Sequence, residues 1–173
     1  SYVNKFIINI QNNSNGEIYS PFIKDLSAKG FDKIASCNFN SDKLNGIILL
    51  NYKNHNEISF NTTEILYCDY REGFNYGTFR VAIDRFLNQM SSLKIPYSVL
   101  YLQDDNSPDR FIWINNFYKE DYSEEITDLW ISTVEAKEIK DEFQENAECI
   151  ESDIYNSFII NWKIGSNMFP FLL

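Results

Sequence analysis

The residues best suited to chemistry in this sequence are Asp128 and the triplet Glu135-Ala136-Lys137 that follows it. Two carboxylates can hold a divalent cation such as Mg²⁺, and a lysine beside them can stabilise negative charge on an attacking water or a phosphate. The set would therefore suit metal-dependent cleavage of a phosphodiester. The spacing is loose, however, and a segment rich in glutamate and lysine produces such a match by chance.

Other candidate residues favour structural roles. His55, the only histidine, lies in an asparagine-rich turn and is expected to be an exposed bystander. Asp104 and Asp105 follow an apolar strand, where α/β enzymes often place metal-binding carboxylates, but the Asn-Ser-Pro-Asp sequence after them indicates a turn. The chain contains no glycine-rich phosphate loop, nucleophile elbow, paired-histidine zinc helix or calcium loop. We therefore expect no enzyme, no bound metal and no cofactor.

The negative charge is concentrated in one acidic segment, residues 119–153. It holds 13 acidic residues against three lysines, a net charge of −10, which equals the formal charge of the whole chain. The other 138 residues hold 12 acidic and 12 basic residues and are neutral overall. Such a charge opposes phosphate binding, so it disfavours direct contact with nucleic acid. It also weakens the resemblance of Asp128, Glu135 and Lys137 to metal-dependent nucleases with an Asp…Glu-x-Lys core.

The elements that position these residues follow from turn residues and hydrophobic periodicity. In the first part of the chain, residues 2–10 resemble a strand, and Ser20-Pro21 resembles the start of a helix that ends at Gly30. Asparagine-rich breaks then separate three further strands, for which an antiparallel meander is the simplest layout. These strands are residues 47–52, 57–61 and 64–70.

The remainder of the chain alternates helices with strands. An amphipathic helix is predicted over residues 78–94, with one apolar face formed by Phe79, Ala82, Ile83, Phe86, Leu87 and Met90. Residues 97–103 and 110–118 are predicted to form a hairpin around a polar turn. Residues 129–134 could be strand or helix. A second helix is expected over at least residues 136–148, with Ile139, Phe143, Ala147 and Ile150 on one face, and residues 154–164 return to the core as a strand or short helix.

These elements predict an α+β fold, a mostly antiparallel β-sheet with two to three amphipathic helices packed against it. We expect residues 1–173 to form a single globular domain. No apolar run is long enough to cross a bilayer, so no membrane contact is expected. The odd, widely spaced cysteines Cys37, Cys68 and Cys149 predict free thiols in a reducing cytoplasm.

The outward face of the second predicted helix is acidic. A solvated surface helix would explain it, but few lysines compensate, and several acids face one another at a small cost in stability. An unbalanced acidic face can also steer and hold a basic partner. The residues predicted to bind that partner are Asp121, Glu124, Glu125, Glu135, Glu138, Asp141, Glu142, Glu145 and Glu148.

In size, acidity and asparagine-rich composition the chain resembles the bacterial immunity proteins that protect cells from polymorphic or contact-dependent growth inhibition toxins. The resemblance concerns the character of the whole chain, and it carries over no functional residue. It implies an inhibitor that binds and occludes the basic active site of a toxin, with a nuclease as the leading candidate. The alternatives are a phage protein that mimics DNA to block host defence, and a metal-dependent nuclease using Asp128, Glu135 and Lys137.

Overall fold

The computed structural model describes residues 28–30, 33, 44–52, 60–118, 128, 130–160 and 171–172. The chain divides into two compact units, Leu44–Ile159 and a smaller one formed by Ser1–Lys43 with Ile160–Leu173. The expectation of a single domain stays a prediction. The strand expected over residues 2–10, the helix start at Ser20-Pro21 and His55 lie outside the described residues. In the smaller unit, Gly30 has the positive φ of 78° that suits a residue ending a helix.

The unit Leu44–Ile159 contains five strands and two helices among its described residues, which confirms the predicted α+β class with the lower of the two expected helix counts. In chain order the elements are β1 (Asn45–Leu50), β2 (Phe60–Tyr70), α1 (Tyr76–Leu93), β3 (Tyr97–Gln103), β4 (Arg110–Phe117), α2 (Val134–Asn146) and β5 (Ala147–Ile160). A two-residue strand, β6 (Phe171–Leu172), belongs to the smaller unit.

The five strands form an antiparallel sheet in the order β1-β3-β4-β2-β5. The expected hairpin is confirmed, since β3 and β4 are antiparallel neighbours. The meander is wrong. β1 pairs with β3, whereas β2 lies between β4 and β5, so the two strands that are consecutive in sequence are not neighbours. The alternation of apolar and polar residues in β1 and β2 specifies which residues face a core. It does not specify which strand each of them pairs with.

Helical crossovers explain this strand order. β2 and β3 both flank β4 and are antiparallel to it, so they run parallel to each other and are joined through α1. In the same way β4 and β5 flank β2, and α2 lies in the connection between them. From β2 to β5 the chain therefore has the split β-α-β, or ferredoxin-like, topology, with β1 added beside β3. Helical crossovers are the usual way to join parallel strands.

The first helix, α1, confirms its predicted apolar face. The Asn75 side chain caps it, accepting hydrogen bonds from the backbone N–H groups of Gly77 (2.8 Å) and Thr78 (3.3 Å). Lys94 follows the last turn in the left-handed conformation, with φ of 51°. The residues buried on α1 are Phe79, Ala82, Ile83, Phe86 and Met90. Leu87 packs against them from a partly buried position.

Among the described residues, aromatic residues make up half of the buried core cluster, eight of its sixteen members. The ring of Phe86 lies 5.8 Å from that of Trp113, 5.5 Å from Trp130 and 5.6 Å from Phe143. Phe111 and Phe117 are also buried on β4. The alternating aromatic residues of β4 therefore belong to the core.

The second helix, α2, ends two residues earlier than predicted. It spans Val134–Asn146, and Ala147 already belongs to β5, where the backbone is extended. Ile150, expected on the apolar helical face, instead lies on β5 with 65% of its surface exposed. Before α2, Trp130 and Ile131 are helical, which favours the helical alternative for that part of residues 129–134.

The expectation of free thiols is wrong for two of the three cysteines. Cys68 on β2 and Cys149 on β5 stand opposite each other in the sheet and form a disulfide bond. They are 81 residues apart in sequence, and cysteine spacing alone does not show which strands will be adjacent. Cys37 lies outside the described residues.

Candidate partner-binding surface

The acidic helix α2 is held at its start by a capping residue. The hydroxyl oxygen of Thr133 accepts a hydrogen bond from the backbone N–H of Ala136 at 3.2 Å. Glu135 stands in the first turn, where a carboxylate interacts favourably with the positive end of the helix dipole. Ala136 and Ile139 are buried against the body of the unit. Their burial turns the carboxylates of α2 outward.

The carboxylates and lysines of α2 are segregated around the helix. At 3.6 residues per turn, its five acidic residues fall within an arc of about 120° that runs from the crest towards α1. Lys137 and Lys140 project from the flank that faces away from α1, and Lys137 lies one turn before Asp141. The arc, which we call the acidic arc, consists of Glu135, Glu138, Asp141, Glu142 and Glu145.

One arginine on α1 engages two members of the acidic arc. Arg85 donates from Nη2 to Glu138 Oε2 at 2.9 Å and from Nη1 to Glu142 Oε1. These pairs join the two helices, and with Arg85 40% exposed they contribute little to stability. Glu138 and Glu142, both predicted to bind a partner, therefore already have an intramolecular one.

Another arginine holds the end of α2. The backbone N–H of Arg71 donates to Asn146 O at 2.9 Å, and its Nε donates to Gln144 O at 2.7 Å. A cation at this end suits the negative pole of the helix. Arg71 Nη2 also lies 3.6 Å from Glu148 Oε2, so Glu148 is paired as well.

Three predicted partner-binding residues remain unpaired. Glu135, Asp141 and Glu145 are exposed and make no ion pair with any residue in the described part of the chain. The other predicted ones, Asp121, Glu124 and Glu125, lie outside the described residues. The unpaired negative charge of α2 is thus concentrated on its crest and on its first turn.

The structure does not assemble the nuclease-like set. Glu135 and Lys137 are two positions apart on α2, which separates their side chains by about 200° around the helix. Asp128 is exposed. Within residues 28–30, 33, 44–52, 60–118, 128, 130–160 and 171–172, no group of three acidic, histidine or cysteine residues could hold a metal ion. The helix therefore directs Glu135 and Lys137 to different sides.

The aspartates after β3 form the predicted turn. Asp104 Oδ1 accepts from the backbone N–H of Asn106 at 2.9 Å, and the backbone oxygen of Asp104 accepts from Ser107 N at 3.1 Å. Asp105 Oδ1 accepts from Asn45 Nδ2 at 2.5 Å. Both carboxylates therefore bond within the β1–β3–β4 edge of the sheet.

A buried polar network was not predicted from the sequence. Asn115 Oδ1 accepts from Tyr97 Oη at 2.5 Å and from Trp113 Nε1 at 2.7 Å, while Asn115 Nδ2 donates to Glu64 Oε2 at 2.7 Å. Burial raises the pKa of Tyr97, and the negative charge of Glu64 raises this pKa further. The phenol therefore stays protonated and acts as a donor. The only sequence indication was an asparagine inside an apolar strand.

Two further tyrosines share a buried hydrogen bond. The hydroxyl groups of Tyr70 and Tyr101 are 2.8 Å apart. Burial raises the pKa of Tyr101 to about 12, although its hydrogen bond to Tyr70 acts in the opposite direction. Burial also raises the pKa of Tyr70. Both phenols remain neutral at physiological pH and are unsuited to act as bases.

Comparison with known proteins does not add a family to this geometry. No protein family, characterised protein or solved structure is significantly similar to this chain. In the described residues, no helix is both long enough and apolar enough to span a membrane. The functional argument therefore rests on the surface itself.

Proposed function

We propose that this protein is an inhibitor of the immunity-protein kind, which binds a basic toxin and occludes its active site. The observation that carries the proposal is the acidic arc, whose members Glu135, Asp141 and Glu145 make no ion pair with any described residue. The active site of a nuclease must be basic to hold phosphates, so its inhibitor should be acidic at the contact. A nuclease is therefore the partner that we favour.

The ion pairs of Arg85 and Arg71 narrow the contact surface within this proposal. Glu138, Glu142 and Glu148 contribute to the negative potential, but each would have to keep or exchange an intramolecular cation on binding. Asp141 and Glu145 have no ion pair with a described residue to break when a partner binds. We therefore propose that these two residues, on the crest of α2, make the closest contacts with the partner.

Charge reversal at the crest tests this contact. The variant Asp141→Lys/Glu145→Lys is expected to bind the partner roughly 100-fold more weakly, because like charges across an interface cost several kcal/mol. An immunity gene is expected directly downstream of its toxin gene, so the partner to test is the protein encoded immediately upstream. The measurement is surface plasmon resonance at several salt concentrations. The parent complex should associate about tenfold more slowly when salt is raised from 0.05 to 0.5 M.

A matched control carries the same change in net charge elsewhere. Asp105→Lys/Asp109→Lys alters two carboxylates in the turn between β3 and β4 and should leave affinity within about threefold of the parent. Equal losses in both variants would indicate non-specific attraction and contradict the contact surface. Competition between the protein and duplex DNA for several unrelated nucleases would instead indicate a DNA mimic.

The proposed location of the inhibitor is the cytoplasm, where the nucleic acid that such a toxin attacks is found. Disulfides are rare in that compartment, so the Cys68–Cys149 pair should be reduced there. Rapid alkylation of intact cells, followed by mass spectrometry, is then expected to label both cysteines. Labelling that requires prior reduction would place the protein in an oxidising compartment.

A further inference from the structure

A groove of about 500 Å³ lies between the second half of α1 and the first half of α2. Both charged and apolar side chains line it. Ile139 at its base is buried, whereas Glu135 on its rim is exposed. The residues that line the groove are Arg85, Asn88, Gln89, Ser92, Leu93, Thr133, Glu135 and Ile139.

The hydroxyl donors of this groove are already used. Thr133 Oγ1 donates to Trp130 O at 2.9 Å, and Ser92 Oγ donates to Gln89 O at 2.6 Å. The guanidinium of Arg85 is directed to Glu138 and Glu142. The Asn88 side chain offers both donors and an acceptor, so it does not favour a ligand of either kind.

Acceptors, by contrast, remain unused. Gln89 Nε2 donates to Thr133 Oγ1 at 2.5 Å, but Gln89 Oε1 is buried and has no hydrogen-bond partner among the described residues. The Glu135 carboxylate likewise receives no hydrogen bond from the described part of the chain. A buried acceptor without a donor costs free energy, so a ligand that supplies donors is favoured here.

The charge around the groove is negative, which also favours a ligand that carries hydrogen-bond donors. Three carboxylates, Glu135, Glu138 and Glu142, stand against one guanidinium, Arg85. The start of α2 would by itself attract an anion, but Thr133 already caps it and Glu135 occupies its first turn. The groove is therefore suited to a cation rather than to a phosphate or carboxylate.

We propose that the groove between α1 and α2 binds a cationic side chain, an arginine of the basic partner, an assignment that rests on the proposed function for the partner's identity. A guanidinium carries five N–H donors in a planar fork. It can donate to the exposed Glu135 carboxylate and, once the Gln89 side chain turns so that the buried Oε1 faces the groove, to that oxygen as well. Leu93, which is only partly buried, offers apolar surface to the methylene groups of the arginine. The arginine would thus be an anchor beside the contacts at the crest of α2.

N-acetyl-arginine amide, titrated into the ¹⁵N-labelled full chain, tests the site directly. Saturable shifts are expected for the Gln89 side-chain amide and for the backbone N–H of Glu135, with a dissociation constant in the millimolar range. N-acetyl-citrulline amide has nearly the same shape without the charge and should bind at least about tenfold more weakly. Shifts that do not saturate, or equal binding of the two compounds, would overturn the proposal.

Two isosteric variants distinguish binding in the groove from general electrostatic attraction to α2. Glu135→Gln should weaken N-acetyl-arginine amide about tenfold, whereas Asp141→Asn, which removes the same charge from the crest, should change it less than about twofold. Equal effects of both variants would overturn the site. If the chain binds N-acetyl-arginine amide as expected but no basic protein partner, the proposed function is wrong and the arginine site stands. The failure of one proposal can therefore be told from the failure of the other.

Discussion

Replacing the disulfide-bonded cysteines, as Cys68→Ala/Cys149→Ser, is expected to lower the free energy of unfolding by about 4 kcal/mol, because the bond closes a loop of 81 residues in the unfolded chain. Alanine is chosen for the buried position and serine for the exposed one, so that no hydroxyl is placed in the core. The measurement is urea unfolding followed by tryptophan fluorescence.

The wild-type chain provides the control for this change. Adding a thiol reductant should reproduce the loss of stability in the wild type and leave the double variant unchanged. The reductant must act alone, without alkylation, so that the thiols stay intact. A variant as stable as the oxidised parent would contradict the role of the bond in holding β5 to β2.

Phe86→Ala should destabilise the protein by about 3–5 kcal/mol, the usual cost of removing a large buried aromatic side chain. Its ring is in contact with Trp113, Trp130 and Phe143, which belong to the sheet, to the segment before α2 and to α2 itself. The cavity would therefore loosen the packing of three different elements. Thermal and urea denaturation of the purified variant measure the loss.

A surface position on the same helix provides the matched control. Val81 is 65% exposed on α1, and Val81→Ala should change the free energy of unfolding by no more than about 0.5 kcal/mol. The pair separates loss of core packing from any change in helix propensity. Similar losses for both substitutions would mean that the Phe86 ring is not a centre of the core.

The fold and the candidate site depend on the same connection. The chain reaches α2 from β4 and enters β5 directly afterwards, so the acidic arc is carried on a crossover helix above the sheet. The capping hydroxyl of Thr133 fixes one end, and Arg71 holds the other. In the oxidised protein the Cys68–Cys149 disulfide also joins β5, the strand that follows α2, to β2.

Part of the candidate site could be predicted from the sequence. The acidic segment and the outward position of Asp141 and Glu145 follow from counting charges and from the helical period. The pairing of Glu138 and Glu142 with Arg85 could not be predicted, since these residues are 53 and 57 positions apart. The groove between α1 and α2 could not be predicted either, because it forms only where these two helices pack against each other.

The sequence by itself determined the local elements of this protein. The apolar spacing in α1, the turn residues between β3 and β4, and the net charge of the acidic segment are properties of neighbouring residues, which the chain carries in any topology. The tertiary structure alone decided the strand order, the Cys68–Cys149 bond and which carboxylates of α2 form ion pairs. Each of these depends on contacts between residues far apart in the chain, and periodicity contains no information about which distant segments become neighbours.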